Sequence, residues 1–528
     1  MKRILLLMYG LMLCFPGGAQ EDAVRAELPV AEGDSPFEVI TLGQMGVLVV
    51  MRQNEIASFE SNRRGEQPWR SIWFYDENLR QRWRADIEVS SAYRYLGHRA
   101  EADSVRFVLA ALPEKADKKE TPVFLELAVC MADGRYRLRE HSLETASLQK
   151  ASVAGIRPAG RYWYFLAVQK SEYFYGRFDA DNDTLYRYPI ASAKDFDCCD
   201  WQADSLGNAC FLFRDAKVES PDLFYAEYTA TGEERHRARI QTPRNDIRLT
   251  DACLIRTGEN KAVVGGSWNL VRGKQTVSPY DRGTETMGLF ALLYEDGEVR
   301  NFWMQAYLDY PFLDTLLGGK EKYRFTQARQ KANGRVIMPD YLCRLYFKPF
   351  GNGFSLTGEI YDRVVTTTTE VSYDFYGRMM PYTRVNFDGF RYQNAFFSVF
   401  DSMGGNICNS VFDIEHDELY EALSPFTVAV ENTAGALLYG YINKGSVYYR
   451  NTHSADGIGA IHSFRLSPLL SGDRMQKTWK EGLSEWYPGC ILAYGYQQIL
   501  NSRRKGKGRQ SVFYMNKIMV EGKAERPQ

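Results

Sequence analysis

A pair of apolar strands joined by an acidic or glycine turn recurs along this chain, and this repeat restricts the possible folds more than any other feature. In one copy the run 124–131 turns at Asp133 and Gly134 and returns from Tyr136. Asp and Gly favour such turns because they tolerate the backbone conformations of tight hairpins. Steps of 57, 48, 51, 65 and 107 residues separate the six turn markers, which are Asp76, Asp133, Asp181, Gly232, Gly297 and Gly404.

Each strand pair follows another apolar run, such as 47–51 or 262–268, and most copies have a fourth run upstream, such as 37–42 or 251–255. The repeat therefore predicts a meander of four antiparallel strands. One twisted meander cannot bury both of its faces, whereas a closed ring of meanders can. We predict an all-β chain that forms a β-propeller of seven blades, with eight as the alternative. A pair of β-sandwiches or an open β-solenoid is the alternative architecture, and sandwiches would not explain such regular turns.

The longest step, from Gly297 to Gly404, is interpreted as one blade carrying an insertion at residues 362–392, because that segment lacks a complete second meander. The run from Phe426 to Tyr449 and the terminal pair, 490–499 and 511–519, supply a seventh blade, or a seventh blade and part of an eighth.

The composition agrees with a globular β protein and excludes one class of partner. Hydrophobic residues make up 45%, aromatic residues 14% and charged residues 25% of the chain, with 34 Tyr and 30 Phe. This is a globular mixture, and its aromatic content suits pleated, half-buried surfaces. The formal net charge of -1 gives no electropositive footprint for a phosphate backbone, so no nucleic acid partner is expected.

The first residues indicate export. Lys2 and Arg3 precede an apolar run from Ile4 to Phe15, and Ala19 supplies a small residue for signal cleavage. We expect a signal peptide at 1–19, a linker at 20–36, the propeller at 37–520 and a disordered tail at 521–528. The apolar run is too short to span a bilayer. The mature protein is therefore expected in the periplasm or outside the cell, with no transmembrane span.

Eight cysteines remain after removal of the signal peptide, and one pair is close in sequence. Cys198 or Cys199 could bond to Cys210 across the predicted turn at 204–208, and we take Cys199 with Cys210 as the candidate disulfide. The six histidines are dispersed and no CxxC spacing occurs, so we expect no metal site. No cofactor motif is present either.

Three segments carry a resemblance to known proteins. They are the run around Val47 to Trp83, the segment GLFALLYEDGEV at 288–299 and the segment NAFFSVFDSMGGNI at 394–407. Together they resemble exported bacterial β-propeller-like proteins of unassigned function. The resemblance implies a fold and a compartment, and it implies no catalytic residue.

In a propeller, the connections between the second and third strands of every blade lie on one face. Here these connections would be 53–68, 113–121, 269–288 and 362–393. Their Arg and Tyr residues are of types that recur at binding hot spots. The candidate ligand-binding residues are Arg272, Tyr280, Arg282, Arg363, Arg384 and Tyr392.

The predicted function is that of a non-enzymatic exported binding or scaffold module, which engages a protein, a glycan or another cell-envelope component through this face. The alternative is a propeller-type glycan hydrolase or lyase, with carboxylates from several blades meeting at the channel mouth. An acid pair facing a pocket at the mouth would favour the enzyme. A mouth lined by Arg and Tyr would favour binding.

Overall fold

A computed structural model describes residues 24–520 with internal gaps. It contains 32 β-strands and one short 3-10 turn at Tyr307–Asp309. The segments not described are 31–37, 53–68, 90–92, 112–123, 142–150, 180, 183, 216–222, 271–285, 311–341, 352, 374, 415–425, 433–434, 452–460, 471 and 501–507. The predicted signal peptide and tail therefore lie outside the described residues.

The strands form eight antiparallel sheets of four strands each. In chain order the strands are β1 (Arg25–Pro29), β2 (Glu38–Thr41), β3 (Val47–Arg52), β4 (Trp69–Tyr75), β5 (Gln81–Val89), β6 (Tyr93–Ala100), β7 (Ser104–Ala111), β8 (Phe124–Cys130), β9 (Tyr136–His141), β10 (Ser152–Ala159), β11 (Tyr162–Gln169), β12 (Glu172–Asp179), β13 (Thr184–Ser192), β14 (Phe196–Ala203), β15 (Ala209–Asp215), β16 (Leu223–Tyr228), β17 (Glu234–Ile240), β18 (Ile247–Gly258), β19 (Lys261–Leu270), β20 (Gly288–Glu295), β21 (Glu298–Ala306), β22 (Leu342–Phe350), β23 (Gly353–Tyr373), β24 (Met379–Phe400), β25 (Asn406–Asp413), β26 (Thr427–Glu431), β27 (Leu437–Asn443), β28 (Ser446–Asn451), β29 (His462–Arg465), β30 (Arg474–Tyr487), β31 (Cys490–Leu500) and β32 (Arg509–Met519).

Seven of the sheets are meanders of four consecutive strands, which we number as blades 1 to 7 from β2–β5 to β26–β29. Blade 8 has the order β1-β32-β31-β30, so its fourth strand comes from the other end of the chain. Strand β1 pairs antiparallel with β32, with Arg25 opposite Asn516 and Leu28 opposite Phe513. The N-terminal strand therefore completes the last blade.

The core lies between neighbouring blades and runs around the whole ring. Seven apolar clusters join successive blades, one of them spanning blades 4, 5 and 6. The cluster that joins blade 8 to blade 1 includes Leu28 and Phe513 on one side and Val47 and Val49 on the other. Since every junction is filled in this way, the chain is an all-β propeller with eight blades.

The first strand of each blade lies nearest the centre of the ring, because first strands contact one another in order: β6 with β10, β10 with β14, β14 with β18, β18 with β22, β26 with β30, and β30 with β2. Turns between the first and second strands and between the third and fourth strands contain two to five residues, except at 452–461. We call the side on which they lie the tight-turn face.

The opposite side, the long-connection face, carries the connections between second and third strands and between successive blades. Five of these connections exceed ten residues, at 53–68, 112–123, 271–287, 307–341 and 414–426. The sequence predicted that the connections between second and third strands lie on one face of the ring, and the strand order confirms this prediction.

Three expectations are changed by the structure. The eighth sheet makes the blade number eight, because β1 completes the terminal group of strands. That strand lies inside the stretch 20–36, which the sequence assigned to a linker. The predicted insertion at 362–392 is mostly not a loop, since β23 and β24 continue through it as paired strands from Asp362 opposite Arg391 to Tyr373 opposite Met379.

Within the described residues, no helix is long and apolar enough to cross a bilayer.

Candidate functional site

A cavity of about 360 Å³ lies on the long-connection face of blade 3. It is bordered by Lys170, Ser171 and Glu172, which connect β11 to β12, and by the chain from Pro189 to Ser192 with Lys194. Lys170 and Ser171 have φ angles of 50° and 68°, in the left-handed region, which turn the chain sharply between the strands. The two lysines and Glu172 give the lining a net charge of about +1, and such a polar recess suits an anionic or hydroxyl-bearing group.

Arginines stand at the long-connection ends of the inner strands in three blades. They are Arg94 on β6, Arg248 on β18 and Arg344 on β22. The Arg94 guanidinium donates to the Val153 carbonyl of the next blade, so it is partly committed to the fold. Burial and the nearby Arg214 both lower the pKa of Arg248. These three arginines therefore bring basic groups to the channel mouth on the long-connection face, and contacts within the protein only partly neutralise their charge.

Four polar side chains of blade 6, two of them buried (Glu359 and Tyr392) and two half-buried (Arg344 and Tyr346), form a cluster near this end, which we call the blade 6 polar cluster. Arg344 lies directly opposite Glu359 across β22 and β23, and its guanidinium carbon is 5.7 Å from the centre of the Tyr346 ring. Each of the four has one buried polar atom that finds no hydrogen-bond partner among the described residues. Such atoms normally pair with protein or ordered water.

The carboxyl group of Glu359 is fully buried. Burial raises its pKa to about 7, although hydrogen bonds from the Thr427 backbone and hydroxyl, together with Arg344, act in the opposite direction. The backbone N–H of Thr427 lies 2.9 Å from Oε1, and Oε2 has no partner among the described residues. Glu359 therefore links blade 6 to blade 7 and changes charge near neutral pH.

Two aspartates on neighbouring inner strands, Asp200 on β14 and Asp251 on β18, come nearest to an acid pair. Burial raises the pKa of both carboxyl groups. Burial, together with the negative charges of Asp200 and Asp251, also raises the pKa of the Cys253 thiol. Asp200 accepts hydrogen bonds at both oxygens, at 3.0 Å from Arg157 of blade 3 and at 2.9 Å from the Leu254 N–H of blade 5. These bonds tie three blades together, so Asp200 has a structural role at the junction of blades 3, 4 and 5.

The predicted binding residues are not brought together by the structure. Arg272, Tyr280 and Arg282 lie outside the described residues, and of Arg363 only the backbone, paired with Phe390, is described. Arg384 is exposed on β24 and lies 3.9 Å from Glu370, whereas Tyr392 is 1% exposed within the blade. Eight residues of strand separate the last two, about 26 Å at ~3.3 Å per residue. A single site that contains both side chains is therefore not formed.

The predicted disulfide is also absent, because Cys199 and Cys210 are both free thiols. In the β14–β15 hairpin, Gln202 lies opposite Cys210, and Cys199 lies at a bulge between Cys198 and Asp200. The hairpin register therefore places the two sulfur-bearing residues three positions out of alignment. All eight described cysteines are free.

The residues that sequence reasoning missed are Lys170, Lys194 and the blade 6 polar cluster apart from Tyr392. Lys170 and Lys194 fall in short connections, and the sequence directed attention to long ones. Arg344 and Glu359 are fifteen positions apart, so only the strand register shows that they are neighbours. The alternation of Arg344 and Tyr346 on β22 was the one local signal that they share a face.

No family model matches the chain, and no curated protein sequence matches it. Similar solved structures include a prolyl endopeptidase, with 10% identity and a TM-score of 0.36 over 81% of this chain and 50% of that one. This chain thus spans half the length of that enzyme. The Dos1 propeller is 9% identical with a TM-score of 0.34, covering 81% of this chain and 95% of its own. A PL25 ulvan lyase is 8% identical with a TM-score of 0.36, covering 81% and 94% respectively.

Proposed function

We propose that this protein is an exported, non-enzymatic binding or scaffold propeller that engages a protein or glycan of the cell envelope through its long-connection face. The observation that carries the proposal is the cavity on blade 3, which places Lys170 and Lys194 beside a polar recess on that face. Connections on a rigid propeller are where binding residues concentrate, since the strands hold them in place. The recess would take an acidic group of the bound component.

The basic groups at the mouth support the same proposal. Arg248 and Arg344 stand at the same ends of adjacent inner strands, and each has a buried nitrogen with no partner among the described residues. Guanidinium groups pair well with carboxylate and phosphate. A ligand with anionic or hydroxyl groups would complement this mouth better than an apolar one.

A hydrolase or lyase is less well supported. Retaining and inverting glycosidases both require two free carboxyl groups on either side of the scissile bond. Asp200 has a structural role between three blades. Among the described residues the nearest other candidate is Asp251, whose Oδ1 accepts from the Ala252 N–H at 3.0 Å, and the two aspartates do not form a pair that faces the cavity.

The test removes two positive charges from one face at a time. The variant Lys170→Gln with Lys194→Gln changes the cavity. Its control, Arg135→Gln with Arg161→Gln, removes two exposed cations in turns of the tight-turn face. Residues 20–528 of each form are immobilised and incubated with a solubilised cell-envelope extract, and captured proteins and glycans are measured by mass spectrometry.

We expect the unaltered protein and the control to capture the same component, and the cavity variant to retain less than about a tenth of it, as loss of two charge-assisted hydrogen bonds would cause. Equal capture by all three forms would contradict a role for the cavity. Turnover of the captured glycan by the protein would contradict the non-enzymatic function.

A further inference from the structure

The long hairpin of blade 6 extends beyond its own sheet. Strand β22 pairs with β23 only as far as Tyr361, and β25 pairs with β24 only from Asn394 onward. Between these points, residues 362–373 and 379–391 pair only with each other. We call this two-stranded part, with its turn at 374–378, the arm. Isolated two-stranded hairpins are at best marginally stable in water, so an arm of this length gains from a partner.

The two faces of the arm differ in chemistry, because residues that pair across the strands share a face. Beyond the pair Arg363–Phe390 at the base of the arm, the outer part of one face consists of the pairs Val365–Phe387, Thr367–Val385, Thr369–Thr383, Val371–Pro381 and Tyr373–Met379. It contains no charged residue, and we call it the apolar arm face. The other face contains Glu370 opposite Tyr382 and Thr368 opposite Arg384. There, Tyr382 and Arg384 both contact the Glu370 carboxylate.

The apolar arm face is open to solvent. Val385 is 61% exposed, Tyr373 is 71% exposed and Met379 is 64% exposed. The aromatic residues of the turn, Phe375 and Tyr376, are 96% and 80% exposed. Contiguous exposed apolar surface of this kind indicates an interaction site.

We propose that the apolar arm face binds the same face of a second copy of this chain, forming a two-fold symmetric dimer. The exposed area fits such an interface. An aromatic side chain can bury ~150–250 Å² of surface. Scaled by their exposed fractions, four aromatic side chains of the arm together expose roughly 400–700 Å²: Tyr373, Phe375, Tyr376 and Phe387. Valines and methionines add to this sum, which brings it near the ~800 Å² per partner of a stable interface.

The absence of charge on the apolar arm face also fits a second copy. A two-fold interface brings the same patch of both copies together, so a charged residue close to the axis would meet the same charge on the other copy. An uncharged, flat face avoids this repulsion and packs on itself as two sheets do in a sandwich, about 10 Å apart. If the two arms are antiparallel, the aromatic turn of one copy lies against the base of the arm of the other copy. At this base the ring centres of Phe387 and Phe390 are 5.0 Å apart.

The alternation of threonines along β23 provides a matched test. Thr369 lies at the middle of the apolar arm face, and Thr368 lies on the opposite face. Thr369→Lys would place two like charges near the symmetry axis, whereas Thr368→Lys adds the same charge outside the interface. Sedimentation velocity of residues 20–528 gives the mass of each form across a concentration series up to ~100 µM. Circular dichroism melting confirms that both variants fold.

We expect the unaltered protein and Thr368→Lys to sediment as dimers, and Thr369→Lys to dissociate at a concentration at least about 100-fold higher, because like charges across an interface cost several kcal/mol. A monomeric unaltered protein at the highest concentration would overturn the proposal. Equal dissociation of the two variants would also overturn it. So would a monomer that floats with phosphatidylcholine–phosphatidylglycerol vesicles and loses this binding in Thr369→Lys, since the arm would then bind lipid. The proposal is independent of the cavity on blade 3.

Discussion

Two buried glutamates show how the residues around a carboxyl group decide its charge. Burial alone would raise the pKa of Glu126, but hydrogen bonds from His141 and Arg106 outweigh this effect and the pKa is lowered. At Glu359 burial outweighs the bonds from Thr427 and the more distant Arg344, and the pKa rises to about 7. Glu359 is the more deeply buried of the two and Glu126 lies nearer to its cation, so depth of burial and the position of the nearest cation together make the difference.

The first prediction uses the opposite signs of these shifts. The folded-state pKa of Glu359 lies above its usual 4.5, so its contribution to stability is complete below about pH 4.5 and is lost as the pH rises to about 7. Glu359→Gln removes this loss. Relative to the unaltered protein, its free energy of unfolding should therefore increase by up to about 3 kcal/mol from pH 4.5 to pH 8.

Thermal or urea unfolding across that pH range measures the effect. Glu126→Gln is the matched control, because a lowered folded-state pKa makes the ionised carboxylate stabilising above its usual pKa. Its deficit relative to the unaltered protein should persist above pH 5 and diminish only as the medium becomes more acidic. Parallel pH profiles for the two variants would refute the assignment of Glu359.

At this scale the sequence predicts little, because side-chain environment depends on strand register. Cys199 and Cys210 are separated by a predicted turn, yet a bulge in β14 and the pairing of Gln202 with Cys210 prevent the disulfide. Arg384 and Tyr392 belong to one predicted insertion, yet one is exposed and the other is buried. Local composition contains neither fact.

Among elements, the glycine turns have a packing role beyond closing a hairpin. A side-chain carbon added to Gly232, in the turn between β16 and β17, would lie 2.1 Å from Cβ of Tyr188 in the preceding blade. A side-chain carbon added to Gly134 would likewise lie 2.6 Å from the indole ring of Trp83 in the preceding blade. The turn between the third and fourth strands thus rests on the outer strand of its neighbour. This contact explains why these turns could serve as markers of the repeat.

The second prediction separates this contact from backbone strain. Gly232 has a φ of 78° and Gly43 has a φ of 59°, but an added carbon at Gly43 would meet nothing within 4 Å. Gly43→Ala should cost about 1–2 kcal/mol for the left-handed conformation alone. Gly232→Ala should cost about 1–3 kcal/mol more, because Tyr188 must move. Unfolding free energies of the two variants test this, and equal losses would show that the blades do not pack through the turn.

The strands of blades 1 to 6 could be predicted as elements because their apolar runs alternate with turn residues. Strand β1 could not, since its five residues, RAELP, are short and end in proline. Its stabilisation comes from pairing with β32 and from Arg25, which donates to Asn516 at 2.8 Å and to Gln497 at 2.7 Å. The arm was recognised as irregular, but its strand character depends on pairing across a turn that the sequence alone left open.

For the whole molecule, the all-β propeller architecture followed from the repeat, and the blade number required the closure. A ring of twisted sheets buries its faces only when the last blade meets the first. Here the meeting is made by a strand from one end of the chain and three from the other. Apolar residues of β1 also join the cluster between blades 8 and 1.

Hydrogen–deuterium exchange of the segment Arg25–Pro29 tests this closure most directly. Val30 donates its N–H to the Ser511 carbonyl of β32, so by the alternation of the ladder the amides of Ala26 and Leu28 also face β32 and should exchange as slowly as those of Arg509–Met519 in the native protein. Exchange of β1 as fast as that of an unstructured linker, while β32 remains protected, would contradict the eight-bladed closed ring.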